Sequence, residues 1–333
     1  MMMKRLRVKS SLLGRLVLLT AGVLTASILI GLQAAPQSDR RGATGSGWLN
    51  RIPSLPTDVE FIRNVEYGKG GNTSLTLDIV RPKIQPKDPM PVVVFIHGGG
   101  WQKGKKESGL LKIAPLAQKG YFCATIEYRL SGEAIFPAQI EDCKCAIRWV
   151  RAHAKEYNLD ADHIGVWGGS AGGHLVALLG TSGGVKELEG KGGWEKYSSK
   201  VQAVADYFGP TDFLYWAEEV KKSGLSIEQL ESQRAGGPIS KLLGGPFSKK
   251  MDVAKQASPT TYITKDDPPV FIGHGENDNL VPLSQSKVFY DALKKEGVEA
   301  TLHIVKGQGH GFRDPETDKM VADFFDKHLR GRK

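Results

Sequence analysis

Pro91–Ile96 reads Pro-Val-Val-Val-Phe-Ile, six apolar residues with no polar face and no alternation. A strand of that kind must be covered on both sides, as a central strand is in a parallel sheet packed between helices. Phe122–Tyr128, His163–Trp167, Val201–Phe208, Pro269–Gly273 and Ala300–Val305 are further strand candidates. Helically spaced segments fall between them. Pro137–His153 carries Ile140, Cys143, Ile147 and Val150 at helical intervals, with Pro137 suited to a first turn. His174–Leu179, Ser284–Lys295 (stopped by Gly297) and Thr317–Leu329 supply more helices. This alternation implies an α/β fold, a mostly parallel central sheet with helices on both faces. Ahead of it, Phe61–Tyr67 and the alternating Leu75, Leu77 and Ile79 flank a Gly68–Asn72 turn and read as a hairpin.

One stretch breaks the rhythm. Residues 213–258 hold Phe213, Tyr215 and Trp216, a charged helical pattern around Ile227–Arg234 and Gly/Pro-rich turns, with no strand pattern. An insertion of this length is either a lid over a site or a plain helical excursion, and the sequence leaves both readings open.

The chain has 333 residues, 40% of them hydrophobic, enough for one large core. A single domain is expected over residues 57–333. Before it, residues 36–56 are rich in Gly, Ser, Pro and Arg without an apolar period and read as a linker. Residues 1–35 read as a signal peptide: a basic start, the apolar run Leu16–Leu32, then Gln33-Ala34-Ala35-Pro36. Cleavage near Ala34 fits the small residues there, although Leu32 stands at the −3 position. The run falls slightly short of the roughly 20 residues that span a bilayer. Export to the periplasm or medium is the expectation, with an uncleaved membrane anchor as the alternative. A lipid anchor is disfavoured, since no cysteine precedes Cys123.

The formal charge of +9 raises the question of nucleic acid. Lys4, Arg5, Arg7, Lys9 and Arg15 supply five of those charges from the leader, and the remaining basic residues alternate with acids. A basic stripe interleaved with aromatics is missing, so nucleic-acid binding is not expected. Cys143 and Cys145 project from different faces of one helix, which leaves Cys123 as the only plausible disulfide partner for either. The simpler reading is three buried thiols.

Four short segments carry chemistry. His97-Gly98-Gly99-Gly100-Trp101 follows a buried strand, and its glycines allow backbone N–H groups to approach a developing oxyanion. Gly168-Gly169-Ser170-Ala171-Gly172 lies between a strand and a helix, where small neighbours permit the sharp bend that exposes a serine hydroxyl. The segment from His274 to Pro282 offers Asp278, beyond a strand end, as the acid that orients a histidine, with Glu276 as its competitor. Gly307-Gln308-Gly309-His310-Gly311-Phe312 follows the last strand and offers His310 as a general base. Each segment alone has a bland reading as a turn, a cap or a solvated loop. Together they occur in one order at the C-terminal ends of strands, where sites form in open α/β sheets. HExxH, paired Cys spacing, GxGxxG and a Walker loop are all missing, so neither a metal nor a nucleotide cofactor is expected.

From about Val65 onward these motifs resemble the α/β-hydrolase superfamily, in its HGG-motif esterase and lipase branch. HGGGWQKGKK, EYRLSGEAIFPAQIEDCKCAIRWVRAHA and VWGGSAGGHLVALLG look most similar to bacterial feruloyl-esterase-like and acetylxylan-esterase-like domains. The resemblance implies Ser170 as nucleophile, Asp278 as acid and His310 as base. It implies an oxyanion hole from the N–H groups of Gly98 or Gly99 and of Ala171. The expected activity is hydrolysis of short-chain or carbohydrate-linked (acetyl, feruloyl) esters through an acyl-enzyme. An amidase or peptidase on the same fold and a catalytically silent binding domain are the alternatives.

Overall fold

The computed structural model describes residues 54–232 and 237–331. The expected leader and most of the expected linker lie outside the described residues. Leu55, within the expected linker, already packs on the domain core.

The chain opens with the antiparallel hairpin β1 (Val59–Gly70) and β2 (Thr73–Pro82). The expected turn at Gly68–Asn72 contracts to Gly71 and Asn72, because β1 runs on through Gly70. Gly68 and Gly70 serve close packing instead: a Cβ on Gly68 would lie 2.6 Å from the Gly192 carbonyl, and one on Gly70 would strike the Arg129 side chain.

Next come β3 (Met90–Ile96), α1 (Leu110–Gln118), β4 (Phe122–Ile126), α2 (Ala138–Ala152), α3 (Ala154–Tyr157), β5 (Leu159–Gly169), α4 (Ala171–Thr181) and β6 (Ala203–Tyr207). Four short helices follow: α5 (Phe213–Lys222), α6 (Ile227–Ser232), α7 (Pro238–Leu243) and α8 (Met251–Gln256). The chain closes with β7 (Val270–Gly275), α9 (Ser284–Lys295), β8 (Ala300–Val305) and α10 (Pro315–Arg330). Helix α1, not among the helices expected above, carries Pro115 in its interior and buries Leu110, Ile113, Ala114 and Ala117 at helical intervals. The strands form one sheet of order β1-β2-β4-β3-β5-β6-β7-β8, parallel from β4 onward, with β2 antiparallel to both neighbours. This is the expected α/β-hydrolase architecture.

The apolar run in β3 has a simple reason. Val92, Val94 and Ile96 feed a core shared with α2, α4 and α9, while Val93 feeds the opposite core beneath α1 and α10. Each fully buried Val or Ile contributes roughly 1.5–3 kcal/mol of transfer free energy. Cys123, Cys143 and Cys145 are buried free thiols, so no disulfide forms among them.

The same arrangement creates the crevice. From β3 the chain crosses to β4 through α1 on one face; β5 pairs with the other edge of β3 and leads into α4 on the opposite face. The connections leaving β3 and β5 therefore diverge, opening a cleft at the carboxyl ends of these adjacent strands.

Candidate active site

Ser170 sits in that cleft, between β5 and α4, with φ 58° and ψ −123°. Such a backbone costs about 1–3 kcal/mol and persists only where neighbours enforce it. Here the Ser170 N–H donates to the Tyr207 carbonyl at 2.8 Å, and the Ser170 carbonyl accepts from His174 N–H at 2.9 Å. The bend also lies hard against β3. A Cβ on Gly172 would fall 2.1 Å from the Ile96 carbonyl oxygen, and one on Gly98 would fall 2.6 Å from that of Gly169.

The loop after β3 is fixed by its aromatic residue. Trp101 is buried, and its indole Nε1–H donates to His174 Nδ1 at 3.1 Å. His174 in turn meets the Ala257 carbonyl through Nε2 at 2.6 Å. Burial lowers the His174 pKa to about 4, partly opposed by the Ala257 carbonyl, so the ring is neutral near pH 7 and can accept from Trp101. One indole thus ties the glycine loop to the helix that begins at Ser170. Gly98, Gly99 and Ala171 line the same cavity as Ser170. Ala171 opens α4, so its N–H is one of those without an intrahelical acceptor.

His310 reaches across from the loop after β8. Its Nε2 lies 2.9 Å from Ser170 Oγ and its Nδ1 lies 2.7 Å from Asp278 Oδ2. The ring packs edge to face on Phe208, with centroids 4.7 Å apart, and Phe312 anchors the loop against Phe208 and Tyr207. Asp278 is buried in the turn after β7. Its Oδ1 accepts the N–H groups of Leu280 and Val281 at 2.8 and 2.9 Å. Burial alone would raise the Asp278 pKa, but hydrogen bonds from His274 and His310, the His310 charge and the Val281 N–H outweigh it and hold the carboxyl well below the usual range. Glu276 is exposed and accepts the Gly307 N–H at 2.9 Å, tying the β7 and β8 loops together, while Asp278 holds the imidazole. His274, to which sequence reasoning assigns no role, also faces this carboxylate, its Nε2 3.3 Å from Asp278 Oδ2. Its only signal was its position at a strand end, four residues before that acid.

The serine opens into a cavity of about 560 Å³. Its walls are mostly apolar: Phe208, Trp216, Leu230, Ile239, Leu280 and Val281. Three of these come from the 213–258 segment, so that insertion walls the site rather than lying apart from it. Side chains hold it in place. Glu231 accepts the N–H groups of Ile239 and Ser240 at the start of α7, and Lys241 donates to Gln102 of the glycine loop at 2.9 Å.

The BD-FAE family model matches residues 77–293. The chain belongs to the BD-FAE family. Among its relatives is the esterase LipQ of Mycobacterium tuberculosis, 35% identical over 290 residues, a match covering 84% of this chain and 65% of LipQ. The chain thus spans just under two thirds of that relative's length. A solved carbohydrate esterase from gut microbiota, in truncated form, shares 33% identity at a TM-score of 0.73, covering 84% of this chain and all of that one. The propionate-bound esterase 2 of Thermogutta terrifontis shares 29% identity at a TM-score of 0.64, covering 83% of this chain and 96% of that one. For this BD-FAE member, then, the fold seen here is shared with solved esterases over nearly their whole length.

Proposed function

We propose that the protein is a serine carboxylic-ester hydrolase working through an acyl-enzyme. The observation that carries this reading is the continuous chain from Ser170 Oγ through His310 to Asp278, with links of 2.9 and 2.7 Å, opening on an apolar cavity. His310 Nε2 takes the Ser170 proton as Oγ attacks the ester carbonyl, and Asp278 stabilises the imidazolium that forms. The carbonyl oxygen becomes an oxyanion facing the N–H groups of Ala171 and of Gly98 or Gly99, each such donor contributing on the order of 10²–10³ in rate. His310 then returns its proton to the leaving alkoxide. Water, deprotonated by the same ring, cleaves the acyl-enzyme and restores the serine.

The apolar walls suit the hydrocarbon part of an acyl group, and the propionate-bound Thermogutta esterase and the carbohydrate esterase support short-chain or carbohydrate-linked esters as the substrate class. The wild-type protein should hydrolyse p-nitrophenyl acetate and butyrate far faster than the matching anilides, and should take a fluorophosphonate label at Ser170. Ser170→Ala should fold normally while losing both, with kcat down by roughly 10⁶. Full activity in that variant would refute the assignment. Export is part of the same proposal, motivated by the leader at residues 1–35; fractionation of full-length and leader-deleted chains checks it.

A further inference from the structure

Asp278 is gripped from two sides, and only one grip belongs to the proposed proton path. Opposite His310, the ring of His274 is completely buried at the end of β7. Its Nε2 lies 3.0 Å from the Val281 carbonyl oxygen and 3.3 Å from Asp278 Oδ2. Its Nδ1 lies 2.6 Å from the Ser286 hydroxyl in α9. These partners select a tautomer. Two oxygens that can only accept face Nε2, so the proton belongs there, while Ser286 can donate its hydroxyl proton to Nδ1.

We propose that His274 is a positioning residue that shares Asp278 Oδ2 with His310 and limits how much of the carboxylate's charge His310 receives. This rests on the triad reading above. Two backbone N–H groups already fix Oδ1, so Oδ2 is the oxygen whose direction and charge remain to be set. His274 Nε2–H donates to the Val281 carbonyl at 3.0 Å and, at 3.3 Å, turns the same positive end toward Oδ2, offsetting part of that oxygen's charge. Less of the carboxylate's charge is then left to stabilise the His310 imidazolium. The ionisable groups facing His274 are Asp278 from its own strand's loop and Asp206 from β6, while α9 presents the neutral Ser286. His310 faces Asp278.

The test compares His274→Leu with His274→Gln. Leucine removes the N–H, whereas the glutamine amide can place a donor where Nε2 stands. Two readouts are followed: the pKa of His310 by NMR of its ring protons, which needs no turnover, and the pH profile of kcat/KM on p-nitrophenyl acetate. His274→Leu should move the His310 pKa up by about half a unit, roughly a three-fold change in its base-to-acid ratio. The acid limb should move by the same amount, kcat should fall about ten-fold and KM should stay put; His274→Gln should recover most of both. Should leucine alone prevent folding, His274→Leu with Ser286→Ala strands no buried hydroxyl and carries the same expectation. An unchanged or lowered His310 pKa in a folded leucine variant, or equal losses with leucine and glutamine, would overturn the role. A wild-type protein without esterase turnover whose His310 pKa still responds to His274→Leu would instead refute the esterase reading and leave His274 as the group that sets Asp278.

Discussion

The two halves of the cavity at Ser170 are built by different means. On the sheet side, position is set by backbone: Ser170 is bent against β3, and Gly98 and Gly172 leave no room for a single Cβ. On the other side, α5 to α7 contribute side chains and are held by side chains: Glu231 of α6 accepts the Ile239 N–H at the start of α7, and Lys241 of α7 donates to Gln102. A backbone-built wall tolerates almost no change, whereas a side-chain-built wall can be reshaped one residue at a time. The first suits atoms that must meet within a fraction of an ångström, the second suits choice among substrates.

Substitutions can push this contrast to failure, beginning with the severest. Asp278→Asn should lower kcat by about 10⁴, by the loss of tautomer control that such a change brings. Glu276→Gln should leave kcat within about three-fold; a steady-state comparison that reversed the two would move the acid to Glu276. Gly172→Ala should cost about 10² in kcat/KM even where the protein folds, because relieving a 2.1 Å approach to Ile96 displaces Ser170. If it behaves as wild type, the sheet side is not the rigid half. Ile239→Ala, on the cap side, should hold kcat on acetate within about three-fold while shifting the butyrate-to-acetate ratio of kcat/KM by about ten-fold. An unchanged ratio would mean that the cap does not gauge the acyl chain.

The mildest change in turnover is expected from Asp206→Asn. Asp206 is wholly buried on β6, where burial pushes its carboxyl up to about 7, partly opposed by the Gly209 N–H. The folded state thus keeps a proton that the unfolded chain releases near pH 4. Stability therefore falls as pH rises from about 4 to about 7, then levels off. Thermal melts should show Asp206→Asn flattening that slope; an undiminished slope would place its origin elsewhere.

What the sequence could and could not disclose divides along a similar line. The uninterrupted apolar run of β3 and the order HGGGW, Ser170, Asp278, His310 were readable because strand faces and strand ends follow from spacing along the chain. Structure then places Ser170, His310 and Asp278 in one hydrogen-bonded chain. Helix α1 is the exception: Leu110, Ile113, Ala114 and Ala117 keep a helical spacing, but Pro115 within it argues against a helix interior. Whether residues 213–258 faced the site could not be read, since that depends on contacts such as Lys241 to Gln102 across 139 positions of sequence. His274 was hidden for a related reason: its meaning lies in Ser286, twelve residues away, and in a tautomer that no motif spells out.

The register between β6 and β7 has a consequence for how such a protein can diversify. Val204 to Tyr207 pair in parallel with Val270 to Gly273, and every residue from 213 to 258 lies between those two strands in the chain. The segment is an insertion between two neighbouring strands. Changing the side chains it lends to the cavity would alter what the cavity admits while the sheet and Ser170 keep their places, so long as Phe213 and the Ala257 carbonyl still support Trp101 and His174. Substitutions confined to the cavity-facing residues of this stretch are therefore the most direct way to change what the cavity receives without touching Ser170 or His310.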